Sequence, residues 1–265
     1  MFAFQYRKAK SLQEAADLLA KDDEAKPLSG GMTLIPTLKA RLANPTQLID
    51  LNGLSELTGI EVKNGALIIG AATRHQQVAT SKVVRDALPA LADLASHIGD
   101  PQVRNRGTLG GSVANNDPAA DYPSAVLGLN AKVITSKREI AAEDFFQGMF
   151  ATALEPGELI VRIAFPLPKK AAYAKFPHPA SGYAMAGVFV AQTAEGIRVA
   201  VTGAGPGVFR WSEAEQALTK SMSAAALEKL TLAADDLNED IHGTREYRAQ
   251  LAKVMAIRAA AALAA

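Results

Sequence analysis

Cysteine is absent from this chain of 265 residues. Without thiolates the chain can form neither a disulfide nor a cysteine-ligated iron–sulfur cluster, and it offers no thiol nucleophile. Any redox chemistry must therefore come from a bound organic cofactor or from another chain. An excess of charge of one sign is also absent, because 28 lysines and arginines balance 27 aspartates and glutamates. This balance argues against a dedicated nucleic-acid-binding protein, which usually carries a strongly basic domain.

Long hydrophobic runs and metal-ligand spacings are missing as well. No run of about 18 apolar residues, the length that a membrane-spanning helix needs, occurs in the sequence. The first residues, Met1–Arg7, lead into a charged helical pattern and lack the apolar centre of a secretory signal. We therefore expect a cytoplasmic protein without a membrane span. The four histidines are scattered, so no metal site is expected, and His75 is interpreted as the start of a helix.

Hydrophobic periodicity and turn signals divide the chain into three units: residues 1–56, 57–168 and 171–265. In the first unit, Ser11 and Glu14 form a capping box that predicts a helix to about Lys21. In the second, Asn64–Gly65 between two apolar segments predicts a β-hairpin. The other predicted strands are 2–6, 26–29, 47–50, 132–135, 139–141, 158–165, 173–176, 183–192 and 198–203. The other predicted helices are 34–42, 88–98, 121–129, 213–220, 224–237 and 247–263, and together these elements indicate an α+β fold.

The first of two glycine-rich segments, Leu28–Pro36, begins where a strand pattern ends. Gly30 and Gly31 permit positive φ angles and close approach to the main chain, so that successive N–H groups can face one concavity. Ser29 and Thr33 add hydroxyl groups, and the helix that follows would direct its positive end at an anion. These features suit a pyrophosphate, although a paired glycine more often forms only a simple turn. The spacing matches neither G-x-G-x-x-G nor a Walker loop.

The second segment, Arg104–Pro123, crowds small and polar residues together. Burying such a segment is costly unless its polar groups are hydrogen-bonded. Both a surface loop and a loop wrapped around a polar ligand would meet this requirement, and the residues alone leave the two alternatives open.

The two segments together carry a resemblance to a known family. Ser29-Gly-Gly-Met-Thr-Leu-Ile-Pro36 and Arg106-Gly-Thr-Leu-Gly-Gly-Ser-Val-Ala-Asn-Asn-Asp-Pro-Ala-Ala-Asp121 resemble the FAD-binding medium subunit of the molybdenum hydroxylases, the carbon monoxide dehydrogenase and xanthine dehydrogenase family. The resemblance covers essentially the whole chain. It implies an α+β fold in which a two-lobed FAD-binding domain of the PCMH type precedes a smaller α+β C-terminal domain of sheet and helices.

The resemblance also implies which residues bind FAD. The first loop would wrap the pyrophosphate with backbone amides, and this role falls on Ser29, Gly30, Gly31, Met32, Thr33 and Leu34. The second would hold the phosphate and ribityl region, and this role falls on Thr108, Leu109, Gly110, Gly111 and Ser112. Asp121 would bond a ribityl or ribose hydroxyl, Leu159 would pack near the adenine, and Lys175 would lie near the flavin. His75 falls in a turn close to the cofactor, while Met32 and Tyr183 depart from the residues that relatives often carry.

The function that the resemblance implies is electron transfer through FAD. Electrons would arrive from an iron–sulfur small subunit, pass through FAD and leave to NAD or a quinone. A separate molybdopterin large subunit would oxidise the substrate, in a dimer of heterotrimers, and no catalytic acid or base is expected in this chain. The alternatives are a stand-alone flavin oxidase and an interaction protein with a vestigial FAD fold. A relative that carries its own cysteine-ligated cluster is excluded by the absence of cysteine.

Overall fold

A small parallel sheet begins the fold. The structure is a computed structural model that describes residues 1–264. The first elements in chain order are β1 (Gln5–Lys8), α1 (Leu12–Ala20), β2 (Lys26–Leu28), α2 (Leu34–Lys39) and β3 (Gln47–Asp50). The strands pair in parallel in the order β1–β3–β2. The loop between β2 and α2 is the first glycine-rich segment, which therefore lies at the carboxyl end of a strand.

The start of α1 confirms the capping prediction with one adjustment. The hydroxyl of Ser11 accepts a hydrogen bond from the N–H of Glu14 at 3.1 Å. The carboxylate of Glu14 accepts from the N–H of Lys10 at 2.7 Å, one residue earlier than a regular capping box. Ala15 and Leu19 form the buried face of the helix.

An antiparallel sheet and most of the helices follow. After a short 3₁₀ turn at Ser55–Leu57, the elements are β4 (Ile60–Lys63), β5 (Ala66–Gly70), α3 (His75–Thr80), α4 (Lys82–Ala87), α5 (Pro89–Ser96), α6 (Pro101–Arg106), α7 (Leu109–Asn115), α8 (Tyr122–Gly128), β6 (Lys132–Thr135), β7 (Glu139–Ala141), α9 (Ala142–Phe145), β8 (Phe146–Gly148), β9 (Ala151–Thr152) and β10 (Ile160–Pro166). Five strands form a sheet in the order β4–β5–β10–β6–β7, and β8 pairs with β9 alone. The hairpin prediction is confirmed, because Asn64 and Gly65 both have positive φ angles, 52° and 74°, between β4 and β5.

The second glycine-rich segment is partly helical, which the sequence patterns did not predict. Thr108 is the N-cap of α7, and its hydroxyl accepts from the N–H of Gly111 at 3.2 Å. A side chain on Gly110 would place its Cβ 2.4 Å from the Cβ of Ala71. The helix therefore forms where its glycines let it pack closely against the end of β5, and this contact overrides their poor helix propensity.

The last part of the chain is a four-stranded antiparallel sheet covered by helices. Its elements are β11 (Lys170–Pro177), β12 (Ala184–Thr193), β13 (Gly196–Thr202), β14 (Phe209–Arg210), α10 (Ser212–Lys220), a 3₁₀ turn (Ala224–Leu227) and α11 (Arg245–Ala264). The strands follow the order β11–β12–β13–β14. Within residues 1–264, no helix has the length and apolar character that crossing a membrane requires.

The helix predicted over 224–237 is wrong beyond its first turn. Leu232 and Leu237 are both buried in the core beneath the sheet. On an α-helix these two residues, five positions apart, would point about 140° away from each other, whereas the loop turns both into the same core. The chain instead continues as a loop, which Asn238 fastens through hydrogen bonds to the carbonyls of Ala204 and Gly205.

The C-terminal sheet is buried on both faces. Val188 and Val190 of β12 point into a core shared with α10 and α11. Phe189 and Ala191 point to the opposite side and join the core of the second sheet and its helices, together with Tyr173 of β11. The α+β fold predicted from the sequence is confirmed. On the face of the sheet towards the FAD-binding domain, β11 packs against α5, and β12 and β13 pack against α8.

Candidate cofactor-binding site

A cavity of about 630 Å³ opens where the two glycine-rich segments meet the loop before β12. This volume lies within the range of roughly 300–1,000 Å³ that is typical of small-molecule sites. Most of the site residues predicted from the sequence line it: Ser29, Gly30, Gly31, Met32, Thr33, Leu34, Thr108, Gly110, Gly111, Ser112, Asp121 and Leu159. Two predicted residues do not. Leu109 is completely buried in the core, and the ammonium of Lys175 is buried against the carboxylate of Asp121.

The first glycine loop presents unpaired backbone donors to the cavity. Within the part of the chain that the structure describes, the N–H groups of residues 30–34 donate to no protein acceptor. Gly31 has a φ angle of 75°, which turns the chain at this point. The side-chain amide of Asn52 holds the loop by donating to the carbonyl of Ser29 at 2.9 Å. Since α2 has only six residues, these N–H groups, more than a helix dipole, make the loop suitable for an anion.

The second segment uses its backbone donors differently. The N–H of Leu109 donates to the carbonyl of Thr73 at 2.9 Å, and that of Gly110 donates to Ala71 at 2.8 Å. These amides are therefore already paired with protein acceptors. The segment offers the cavity the main chain of Gly111 and the side chains of Thr108 and Ser112.

The two loops are held against each other at a crossing that tolerates no side chain. The hydroxyls of Ser29 and Thr108 are hydrogen-bonded at 3.0 Å. A Cβ on Gly30 would lie 2.2 Å from the carbonyl oxygen of Arg106 and 2.7 Å from the Cα of Gly107. Gly30 is thus required by contact between the loops, a role that differs from the close ligand approach expected from the sequence.

Gly111 meets a different environment. Apart from its own helix backbone and chain neighbours, a Cβ there would meet, among the described residues, the Thr108 hydroxyl at 2.8 Å, and Gly111 lines the cavity. The N–H groups of the first loop and the main chain of Gly111 therefore lie in the wall where a phosphate group could be held. The residues present therefore fit an anionic, dinucleotide-like cofactor.

A buried carboxylate, that of Asp121, forms another part of the wall. The carboxylate of Asp121 accepts a hydrogen bond from the Tyr173 hydroxyl at 2.5 Å. The ammonium of Lys175 lies 2.9 Å from Oδ1 and 3.0 Å from Oδ2 of the same carboxylate. Burial raises the pKa of Asp121 above its usual value, and the charge of Lys175 acts against this rise. Burial and the charge of Asp121 raise the pKa of Tyr173 well above 10, so its hydroxyl remains a donor.

His75 lies in the cavity wall as well as at the start of α3. Its ring is tilted against that of Tyr122, with the ring centres 5.3 Å apart. Burial lowers the pKa of His75 from 6.5 to about 4, and the charge of Arg104 acts in the same direction. The imidazole is therefore neutral near neutral pH.

Several wall residues were not predicted as site residues. Tyr183 and its neighbours Ser181 and Gly182 come from the loop before β12, and Ile98 and Gly99 follow α5. No local signal marks these residues in the sequence, because each belongs to a short connection whose place in the wall depends on packing between distant segments. Burial raises the pKa of Tyr183.

Fold and cavity together are those of a protein that binds an anionic organic cofactor, and comparison with known proteins specifies the class. Residues 2–168 match the family described as FAD binding domain in molybdopterin dehydrogenase. Residues 171–263 match the CO dehydrogenase flavoprotein C-terminal domain. The chain belongs to the FAD-binding medium subunits of the molybdenum hydroxylases. It is therefore a subunit of an oxidoreductase, and its cofactor is FAD.

Individual relatives are similar over nearly their whole length. The glyceraldehyde dehydrogenase medium chain of Sulfolobus acidocaldarius is 35% identical over 97% of this chain and 96% of its own. The carbon monoxide dehydrogenase medium chain of Hydrogenophaga pseudoflava is 35% identical over 97% of this chain and 95% of its own. A solved structure of reconstituted CO dehydrogenase from Oligotropha carboxidovorans superposes with a TM-score of 0.90 at 34% identity, covering 97% of this chain and 96% of that one.

Proposed function

We propose that this subunit carries electrons from an iron–sulfur subunit through FAD to an external acceptor, NAD or a quinone. The observation that carries the proposal is that residues 30–34, whose N–H groups donate to no acceptor within residues 1–264, line a 630 Å³ cavity in a chain of this family. When bound, FAD supplies a redox centre that accepts electrons singly and delivers them in pairs. The chain itself binds and orients the cofactor and shapes its electrostatic surroundings.

The proposed contacts follow from what each part of the wall offers. The backbone N–H groups of residues 30–34 bind the pyrophosphate, and Gly111 leaves room for the phosphate to approach. Thr108 and Ser112 bring hydroxyl groups to the phosphate and ribityl region. Asp121 accepts a hydrogen bond from a ribityl or ribose hydroxyl. Leu159 provides apolar surface for the adenine.

The proposed partners follow from what the chain does not contain. Because the sequence has no cysteine, a cysteine-ligated cluster that donates electrons must lie on another chain. We therefore propose an iron–sulfur small subunit and a molybdopterin large subunit as partners, arranged as a dimer of heterotrimers. The carbon monoxide and glyceraldehyde dehydrogenase relatives are themselves named as medium chains. The cytoplasmic location stays a prediction.

The experiment compares ligands that share parts of FAD. Apo-protein is titrated with FAD, FMN and riboflavin while flavin fluorescence reports binding. If residues 30–34 bind the pyrophosphate, FAD binds far more tightly than riboflavin, which has no phosphate. Equal affinities for the three ligands would contradict this assignment, and no binding of any would favour the vestigial alternative.

A second experiment addresses the electron path. The FAD-loaded chain is mixed with substrate alone and then with purified partner subunits, and flavin bleaching is followed. We expect bleaching only when the partners are present. Substrate-dependent turnover by the isolated chain would instead support a stand-alone flavin oxidase.

A further inference from the structure

The ammonium group of Lys175 is held by protein acceptors, and Lys175 is not among the residues that line the cavity. A lysine ammonium has three N–H donors. It donates hydrogen bonds to Oδ2 of Asp121 and to the carbonyl of His97, both at 3.0 Å, and its nitrogen also lies 2.9 Å from Oδ1 of Asp121. The side chain is only 3% exposed. The resemblance places Lys175 near the flavin, and this geometry directs its ammonium to Asp121 and His97.

The carboxylate of Asp121 keeps one acceptor site free. An ionised carboxylate offers about four lone-pair positions on its two oxygens. Oδ1 accepts from the Tyr173 hydroxyl and faces Lys175, while Oδ2 is engaged by Lys175 alone. Asp121 lines the cavity, so Oδ2 can still accept one hydrogen bond from a ligand.

We propose that Tyr173 and Lys175 are positioning residues for the FAD site, which orient and hold the charge of Asp121 so that Oδ2 accepts one hydroxyl of FAD. The inference rests on the proposed role of Asp121. Tyr173 and Lys175 both belong to β11, whereas Asp121 immediately precedes α8. The C-terminal domain therefore contributes to cofactor binding through a carboxylate of the FAD-binding domain.

The same ammonium also fixes a second part of the wall. The carbonyl of His97, which Lys175 engages, ends α5, and the next two residues, Ile98 and Gly99, line the cavity. The main chain of Asp121 is held separately, because the Ser124 hydroxyl donates to its carbonyl at 2.7 Å. Loss of Lys175 would thus leave the backbone of Asp121 in place and change chiefly the charge and direction of its carboxylate.

Removing the ammonium changes the protonation of Asp121. Burial favours the neutral acid and Lys175 favours the carboxylate, so a variant without Lys175 takes up a proton at higher pH. A neutral acid is a weaker acceptor for a ligand hydroxyl than a carboxylate is. The groups that surround this carboxylate are Lys175 and Tyr173 on β11, His97 with Asp93 on α5, Tyr122 on α8, and Tyr183.

The test measures FAD affinity against pH. FAD is titrated between pH 5 and 8 into four apo-proteins that all carry His97→Gln. One has no other change and serves as the wild type of this comparison, and the others add Lys175→Met, Tyr173→Phe or Asp121→Asn. The shared substitution His97→Gln removes the neighbouring imidazole and keeps the backbone carbonyl that Lys175 binds. We expect the FAD affinity of the wild type to fall as the pH is lowered. In Lys175→Met this fall should begin at a higher pH, and at pH 7 this variant should bind FAD about tenfold more weakly than the wild type. Tyr173→Phe should weaken binding by less.

Two further variants separate positioning from simple structural support. If Lys175 acts through Asp121, the double variant Asp121→Asn/Lys175→Met binds FAD no more weakly than Asp121→Asn alone, and neither shows the pH dependence. Arg198→Met is the matched control, because Arg198 forms an ion pair with Glu143 at 2.8 Å that also links the two domains away from the cavity. It should lower stability in urea without moving the pH profile.

The contrary outcomes are distinct. The positioning role is overturned if Lys175→Met keeps the wild-type FAD affinity and pH profile while Asp121→Asn binds FAD weakly. Weak binding by Lys175→Met with normal binding by Asp121→Asn would show direct contact and would also overturn it. If Lys175→Met does not fold, the test rests on Tyr173→Phe. An unchanged dependence of FAD affinity on pH in that variant contradicts the proposal. Failure of the wild type to bind FAD would instead contradict the proposed function.

Discussion

At the scale of single residues, the glycines of the two motifs serve different ends. Gly30 and Gly110 allow main chain to pack on main chain, against Arg106 and Ala71. Gly107 leaves room for the ring of His75, whose Nε2 would lie 2.5 Å from a Cβ at that position. Gly111 lines the cavity, and a Cβ there would meet the hydroxyl of Thr108, at the end of a side chain, where the other three would meet main chain or a ring, so we expect a substitution there to affect the ligand more than the fold.

The substitution Gly111→Val should abolish FAD retention while the chain stays folded. The added side chain occupies the space through which a phosphate approaches the main chain, so we expect at least a hundredfold loss of affinity, or roughly 2.8 kcal/mol. Equilibrium titration with FAD measures it. Gly207→Val is the control, because a Cβ there meets no atom within 4 Å. Full flavin occupancy in folded Gly111→Val would remove Gly111 from the site.

His75 makes the stability of the apo-protein depend on pH. In the unfolded chain an imidazole takes up a proton near pH 6.5, whereas the pKa of His75 in the folded protein is about 4. Its contribution is therefore complete above pH 6.5 and is lost as the pH falls towards 4, by as much as about 3 kcal/mol. Urea unfolding of wild type and His75→Gln at several pH values measures this.

The control for this prediction is His242→Gln. His242 is exposed, its ring lies against that of His178 with the ring centres 4.4 Å apart, and it is not among the residues that line the cavity. We expect His75→Gln to flatten the dependence of unfolding free energy on pH between 6.5 and 4, and His242→Gln to leave it unchanged. An equal slope in wild type and His75→Gln would mean that other groups account for acid destabilisation.

At the scale of secondary-structure elements, the end of α7 clamps the β8–β9 hairpin. Asn116 has a φ angle of 43° and is buried. Its side-chain amide donates to the carbonyls of Gly148 and Ala151 at 2.7 and 2.8 Å, and its own carbonyl accepts from Phe150. A residue of the second motif thus holds a hairpin more than thirty positions away.

Replacing Asn116 separates its two roles. Asn116→Ala loses both side-chain hydrogen bonds and places an unsuited residue at positive φ, so we expect a loss of about 2–4 kcal/mol in unfolding free energy. Asn116→Gly loses the same bonds without the backbone cost and should be about 1 kcal/mol more stable than Asn116→Ala. Urea unfolding measures both values, and a near-wild-type Asn116→Ala would contradict the clamp.

Local elements differed in how far they could be predicted. The hairpin at Asn64–Gly65 and the helix start at Ser11 depend on neighbours in sequence, and both are confirmed. The segment 224–237 has a helical composition, but as a loop it turns both Leu232 and Leu237 into the core beneath the sheet, where a helix would point them about 140° apart. Prediction failed there because tertiary burial outweighed local propensity.

At the scale of the whole molecule, the cavity draws its wall from the first glycine loop, α7 and the loop before β12. These parts belong to both domains, so FAD binding should stabilise the chain as one unit. At a free FAD concentration a hundredfold above Kd, we expect the unfolding free energy to rise by about 2.7 kcal/mol. Urea unfolding with and without FAD measures the rise, which Gly111→Val should lack. If the wild type unfolds at the same urea concentration with and without FAD, the prediction is contradicted.

The sequence by itself determined the family and the cofactor, because the two glycine-rich motifs are contiguous and their residue types can be recognised without knowing what they touch. Most of the predicted site residues do line one cavity. The tertiary structure alone decided which protein groups each of these residues contacts. Gly30 is needed because Arg106, far along the chain, crosses it, and Lys175 binds Asp121 across 54 positions instead of facing a ligand. Such roles depend on which distant segments pack together, and that is fixed only when the whole chain buries its cores.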